Sequence, residues 1–91
     1  MLIKVRKAKP LGDYRLAIEF SDDTMGERNF SLITSEAGLM LEPLKDPIYF
    51  RRVFVENGVT TWPNGYDWDP IALHDEMEAA RELRPVGDAA Q

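Results

Sequence analysis

Cysteine is absent from the chain. That absence excludes disulfides, thiolate nucleophiles and thiolate metal sites together. A small domain without disulfides suits a reducing compartment, so a cytoplasmic protein is expected. Histidine is nearly absent as well, with His74 the single one. A histidine-anchored metal centre would need several carboxylates to converge on it. Its neighbours Asp75 and Glu76 lie one and two steps away on a helix and point in different directions. Long apolar runs are also missing. None approaches the ~20 residues that cross a bilayer as a helix. The basic residues 1–10 are not followed by the apolar core of a signal peptide.

Positive charge is in short supply. The chain carries 11 Lys and Arg against 16 Asp and Glu, a net charge of −5. Four of the cations, Lys4, Arg6, Lys7 and Lys9, fall within residues 1–10, which hold no acid. The other 81 residues therefore carry seven cations and 16 acids, net −9. Phosphate binding rests on clustered Lys and Arg, so nucleic acid is not expected as a partner of this chain alone. No glycine pattern forms a phosphate loop, and no serine or threonine sits in a nucleophile elbow. These absences leave a soluble domain with no expected cofactor and no expected metal site.

The residues that are present are patterned. Ninety-one residues make one small domain with a thin core. Ile3 and Val5 alternate with Lys4 and Arg6, as in a strand with one solvated face. Cations on that face suit a sheet edge. Lys9-Pro10-Leu11-Gly12-Asp13 reads as a turn. Tyr14, Leu16, Ile18 and Phe20 then alternate strictly with Arg15, Ala17 and Glu19, the mark of a half-buried strand. The first two strands should pair as a hairpin. After the polar turn Ser21-Asp22-Asp23-Thr24, a weaker third strand is expected over residues 25–32, ending at Phe30 and Leu32. Residues 33–50 are irregular but apolar, and should cover the sheet in short helical turns. Asp46-Pro47 reads as an N-cap followed by proline, with Phe50 aimed inward.

Asn57-Gly58 favours a two-residue type I′ turn, because both positions need positive φ. That register sets Val55 opposite Thr60 and Val53 opposite Trp62 on one face. Phe54, Val59 and Thr61 lie on the other. With Trp62 on the core side, Phe54 either forms part of a partner surface or is covered by a helix or loop. The stretch Trp62-Pro63-Asn64-Gly65-Tyr66-Asp67-Trp68-Asp69-Pro70 then divides the strand-like part of the chain from the helical part. Asp69-Pro70 is a second cap-then-proline signal. It predicts a helix from Pro70 to Leu83 with Leu73, Met77 and Ala80 inward, stopped by Pro85.

Two features carry candidate chemistry. Asp67 and Asp69 flank Trp68 and could serve acid–base catalysis, but capping already accounts for Asp69. His74 reads as a solvated surface residue. The Trp62–Trp68 aromatics either form the core of a small domain or present an interface hot spot.

Gly12-Asp13-Tyr14-Arg15-Leu16, Leu44-Lys45-Asp46-Pro47-Ile48-Tyr49-Phe50, Val53-Phe54-Val55, Trp62-Pro63-Asn64-Gly65-Tyr66-Asp67, Asp69-Pro70 and Leu73 resemble the bacterial domain-of-unknown-function family 2442. The likeness spans about residues 1–74, and its most specific part is the Trp-Pro-Asn-Gly-x-Asp signature. Asp22-Asp23-Thr24 replaces the family's acidic-Gly turn, and Trp68 stands where an aliphatic residue is common. The resemblance implies a compact α+β domain with no established activity. It also implies a second small protein encoded alongside, in a toxin–antitoxin-like arrangement. Some relatives carry a following helix-turn-helix module, which the one helix expected after residue 69 would not form.

The expectation is one α+β domain over residues 1–84, with a disordered tail at 85–91. It should hold a mainly antiparallel sheet of four or five strands, a short helical segment and a C-terminal helix. Its expected function is that of a non-enzymatic interaction or regulatory module, binding a small protein partner or itself. Phe54, Asn64, Gly65, Tyr66, Asp67 and Trp68 are its candidate surface. The alternatives are a nucleic-acid-linked regulator or antitoxin using Lys4, Arg6, Lys7 and Lys9, and a small carboxylate-dependent enzyme.

Overall fold

The computed structural model describes residues 2–87. It is an α+β fold with two antiparallel sheets. The first holds β1 (Val5–Gly12), β2 (Arg15–Phe20), β3 (Thr24–Asn29) and β7 (Arg84–Pro85), in that order across the sheet. The second holds β4 (Phe54–Glu56), β5 (Val59–Thr61) and β6 (Asp67–Trp68). Helix α1 (Pro47–Phe50) precedes β4, and helix α2 (Pro70–Ala79) follows β6. The antiparallel pairing is as expected, but the strands divide between two sheets. They meet where Val5 N–H donates to the Gly58 carbonyl at 2.9 Å. A Cβ on Gly58 would lie 2.8 Å from the Lys4 side chain, so glycine allows this close approach as well as the turn.

Strand β1 runs further than the sequence suggests. Pro10 lies inside it, which an edge strand tolerates because one side of the ladder is unpaired. The turn to β2 is Asp13-Tyr14, both at positive φ. A register shift between Val5 and Lys7 marks a bulge at Arg6. It places Lys7 opposite Glu19 and Lys9 opposite Ala17, while Ala8 and Pro10 oppose the buried Ile18 and Leu16. Strand β3 stops at Asn29, short of the expected end. The Asn29 side chain accepts the Ser31 N–H at 2.8 Å and turns the chain into a 3₁₀ helix, Ser31–Ser35. Phe30 is buried after the turn, but Leu32 is 76% exposed.

The core unites Leu16, Ile18 and Phe20 of β2 with Leu73 and Met77 of α2 and with Ile33, Leu44 and Phe50. Each such side chain contributes about 1.5–3 kcal/mol by leaving water. The 33–50 segment covers the sheet as expected, through its 3₁₀ turns and α1. Both cap-then-proline signals hold. Asp46 accepts from Ile48 N–H, and Asp69 accepts from the N–H groups of Ile71 and Ala72.

Helix α2 ends earlier than Leu83. Arg81 takes φ 58°, Glu82 N–H donates to the Met77 carbonyl, and Arg81 N–H donates to Glu78. These two bonds form a Schellman cap, so the backbone terminates the helix before Pro85 is reached. The Glu82 carbonyl then packs on Gly26 of β3, where a Cβ would lie 2.2 Å from it. Arg84, expected at the end of the domain, pairs with Met25, and Pro85, assigned from sequence to the tail, pairs with Thr24. Val86 N–H donates to the Asp23 carbonyl at 2.7 Å. The rest of the expected tail, residues 88–91, lies outside the described residues.

Candidate functional site

The Trp62–Trp68 stretch is partly scaffold and partly surface. Trp62 is buried, and its indole Nε1–H donates to the Phe50 carbonyl at 2.9 Å. Asn64 holds the loop from both sides. Its Nδ2 donates to the Met40 carbonyl at 3.0 Å, and its Oδ1 accepts from Tyr66 N–H at 3.1 Å. Gly65 takes φ 91°, and its N–H donates to the Trp62 carbonyl. Tyr66 is half-buried, with its ring 5.8 Å from Trp62. Asn64 and Gly65 thus shape the loop, as their turn chemistry requires.

Phe54 and Trp68 do not share a face. Phe54 opposes Thr61, which opposes Asp67, whereas Val55 opposes Thr60, which opposes Trp68. Alternation along each strand puts Phe54 and Asp67 on one side of the small sheet and Trp68 on the other. Phe54 is 41% exposed and Asp67 is exposed. Trp68 is half-buried, edge-on to Phe30 with centroids 5.0 Å apart.

Beside Trp68 lies a cleft of about 150 Å³. Its apolar lining comes from Phe30, Leu32, Ile33 and Trp68, and its acidic lining from Glu36 and Glu76. Arg28, the cation in the lining, is held between Glu76 at 3.0 Å and Glu82 at 2.8 Å. Burial first, then the charges of Glu36 and Asp67, hold the Tyr66 hydroxyl above its ordinary pKa. The site is therefore apolar within and negative around. Sequence reasoning identified Trp68 but missed Leu32 and Glu36, because Leu32 was expected to end a strand. Asn29 before Ser31 was the available signal, since an Asx turn there stops β3.

The four N-terminal cations are exposed but not equivalent. Arg6 pairs with Glu19 at 3.2 Å and Asp23 at 2.9 Å. Lys4 packs against Gly58. Lys7 and Lys9 border a second hollow over Ala17 and Met25, with Glu19 beside them. Of the acid–base candidates, Asp69 is committed to its helix cap and Asp67 stands in β6.

His74 is a correction. It is 8% exposed, not solvated, and its Nε2 lies 2.9 Å from Asp22 Oδ2. Its ring meets Phe20 edge-on at 4.9 Å. The signal was its position on the inward stripe, next to Leu73 and three residues before Met77. Its side chain, Asp75 and Glu78 offer ligand-type atoms within 4.8 Å of one another. Three such groups from one helix face, two of them exposed, are fewer than the four of a closed structural zinc site.

Fold and site together define a small α+β domain with an apolar, acidic-edged surface cleft. No helix among the described residues is long and apolar enough to cross a membrane. No family model, curated protein or solved structure matches the chain.

Proposed function

We propose that the protein is a non-enzymatic interaction module that binds a small protein partner or a second copy of itself. One observation carries this reading. Leu32, Leu39 and Met40 are 76%, 93% and 45% exposed, and all come from the segment bordering the 62–68 loop. Met40 is tied to that loop through Asn64, and Leu32 lines the Trp68 cleft. Scattered single apolar residues are ordinary, but several along one border are a feature of association surfaces. The candidate surface is accordingly Leu32, Leu39, Met40 and Trp68, with Asn64, Gly65 and Tyr66 shaping it. Phe54 and Asp67 belong to a separate face. By resemblance alone, the module would act in a bacterial cytoplasm, as one partner of a toxin–antitoxin-like pair.

The test is affinity capture of the tagged chain from its native lysate, with light-scattering sizing of the eluate. The expected result is a stoichiometric small protein or a defined homodimer. Association should be lost in the triple variant Leu32→Ser, Leu39→Ser, Met40→Ser, which leaves the buried core side chains in place. A monomer with no companion, or association unchanged in the triple variant, would overturn the reading.

A further inference from the structure

We infer that the cleft beside Trp68 receives one lysine or arginine side chain presented by the protein partner. The inference rests on the interaction reading above and names the chemistry of the contact. Size comes first. Small-molecule and cofactor sites occupy about 300–1,000 Å³. At about 150 Å³, this cleft suits one side chain better than a metabolite.

The lining then selects which side chain. Phe30, Leu32, Ile33 and Trp68 present apolar surface, which a long aliphatic stem covers. Glu36 and Glu76 stand at the same cleft, where a charged head would end. A half-buried tryptophan also offers the aromatic ring that attracts a cation most strongly. Arg28 does not cancel this preference. It is shared by Glu76 and Glu82, so those three groups retain one net negative charge. The Glu36 side chain makes no ion pair among the described residues and adds a second. An acidic segment would be repelled from this face. A neutral apolar side chain would leave Glu36 unpaired.

The experiment titrates the full chain with N-acetyl-arginine methylamide, followed by ¹H–¹⁵N NMR. N-acetyl-norleucine methylamide and N-acetyl-glutamate methylamide serve as controls. The arginine compound should shift the Trp68 indole N–H resonance and leave that of the buried Trp62 in place. Trp68→Phe assigns the two signals. Norleucine should bind about two- to five-fold more weakly, as should arginine to Glu36→Gln, the range for one exposed ion pair. Glutamate should cause no shift at Trp68. Equal binding of norleucine and arginine, binding unaffected by Glu36→Gln, or no arginine binding would each overturn the inference. Because the probes are partner-independent, the result stands apart from the capture experiment. A captured partner retained by Glu36→Gln and Trp68→Ala would sink the cation contact and leave the interaction reading intact.

Discussion

Trp62 Nε1–H donates to the Phe50 carbonyl across 2.9 Å, joining the 62–68 loop to helix α1. The rings of the same two residues pack at a 45° tilt with centroids 5.5 Å apart. Phe50 in turn meets Tyr14 at 5.4 Å and Phe30 at 6.1 Å, and Phe30 meets Trp68. Tyr14 adds a hydroxyl bond to the Lys45 carbonyl. The aromatics thus run from the β1–β2 turn through the covering segment to the candidate site. A buried tryptophan needs a partner for its N–H, and the Phe50 carbonyl at the end of α1 supplies one while also accepting the Val53 N–H at 3.3 Å.

Trp62→Phe should keep most of the apolar contact but remove the donor. The expected cost is about 0.5–1.5 kcal/mol, the net worth of one hydrogen bond, because the Phe50 carbonyl keeps the Val53 N–H. Trp62→Ala should cost about 3–5 kcal/mol, the range for a large aromatic removed from a core. Urea unfolding followed by circular dichroism measures both. A loss below about 1 kcal/mol for the alanine variant would show that the loop is not anchored through this residue.

Where a local rule dominates, the sequence made the fold legible. The alternation of Leu16, Ile18 and Phe20 set the core strand, and Asn57-Gly58 set the turn between β4 and β5, with both residues at positive φ. Asp46-Pro47 and Asp69-Pro70 each placed a helix start. Other features depend on distant partners or leave no compositional mark. The bulge at Arg6 follows from pairing with β2. Arg81 occupies the left-handed position of a helix cap, where glycine or asparagine is usual, so nothing announced the helix end. Gly26 is by itself a poor strand former, but the Glu82 carbonyl on top of it requires the missing side chain. The site was half legible for the same reason. Trp68 stood out as an aromatic beside acids, while Leu32 reached the cleft only through the Asn29 turn. His74 was misread because its partner, Asp22, lies 52 positions away in sequence.

The Asp22–His74 contact makes stability depend on acidity. Burial raises the Asp22 pKa, but hydrogen bonds from Thr24 and His74, with the electrostatic pull of His74, outweigh it and leave the pKa below 3.8. An ionised carboxylate can only accept, so His74 Nε2 carries the hydrogen in this pair. A depressed folded pKa means that the unfolded chain takes up the proton first. The contact's stabilisation is therefore complete above the unfolded value and is lost as pH falls through the folded one. Asp22→Asn should be less stable than the parent at neutral pH, and the two should converge once the pH has fallen below the depressed folded value. Urea midpoints measured across this range check it. A constant gap at every pH would assign Asp22 a role in turn geometry rather than in charge.

Thr60 presents the opposite case, a polar group with nothing to bond. It is fully buried on β5, between Val55 and Trp68, and its hydroxyl has no partner among the described residues. Leaving a buried hydroxyl unpaired costs about 1–3 kcal/mol, whereas an apolar group of similar shape carries no such penalty. Valine matches threonine in branching and favours strands. Thr60→Val should therefore stabilise the protein by about 1 kcal/mol. In a domain of this size that corresponds to a rise of about 4–8 °C in Tm. Differential scanning calorimetry measures it directly. A fall in Tm would mean that the hydroxyl has a bonding partner, such as an ordered water beneath the small sheet, and that β5 depends on it.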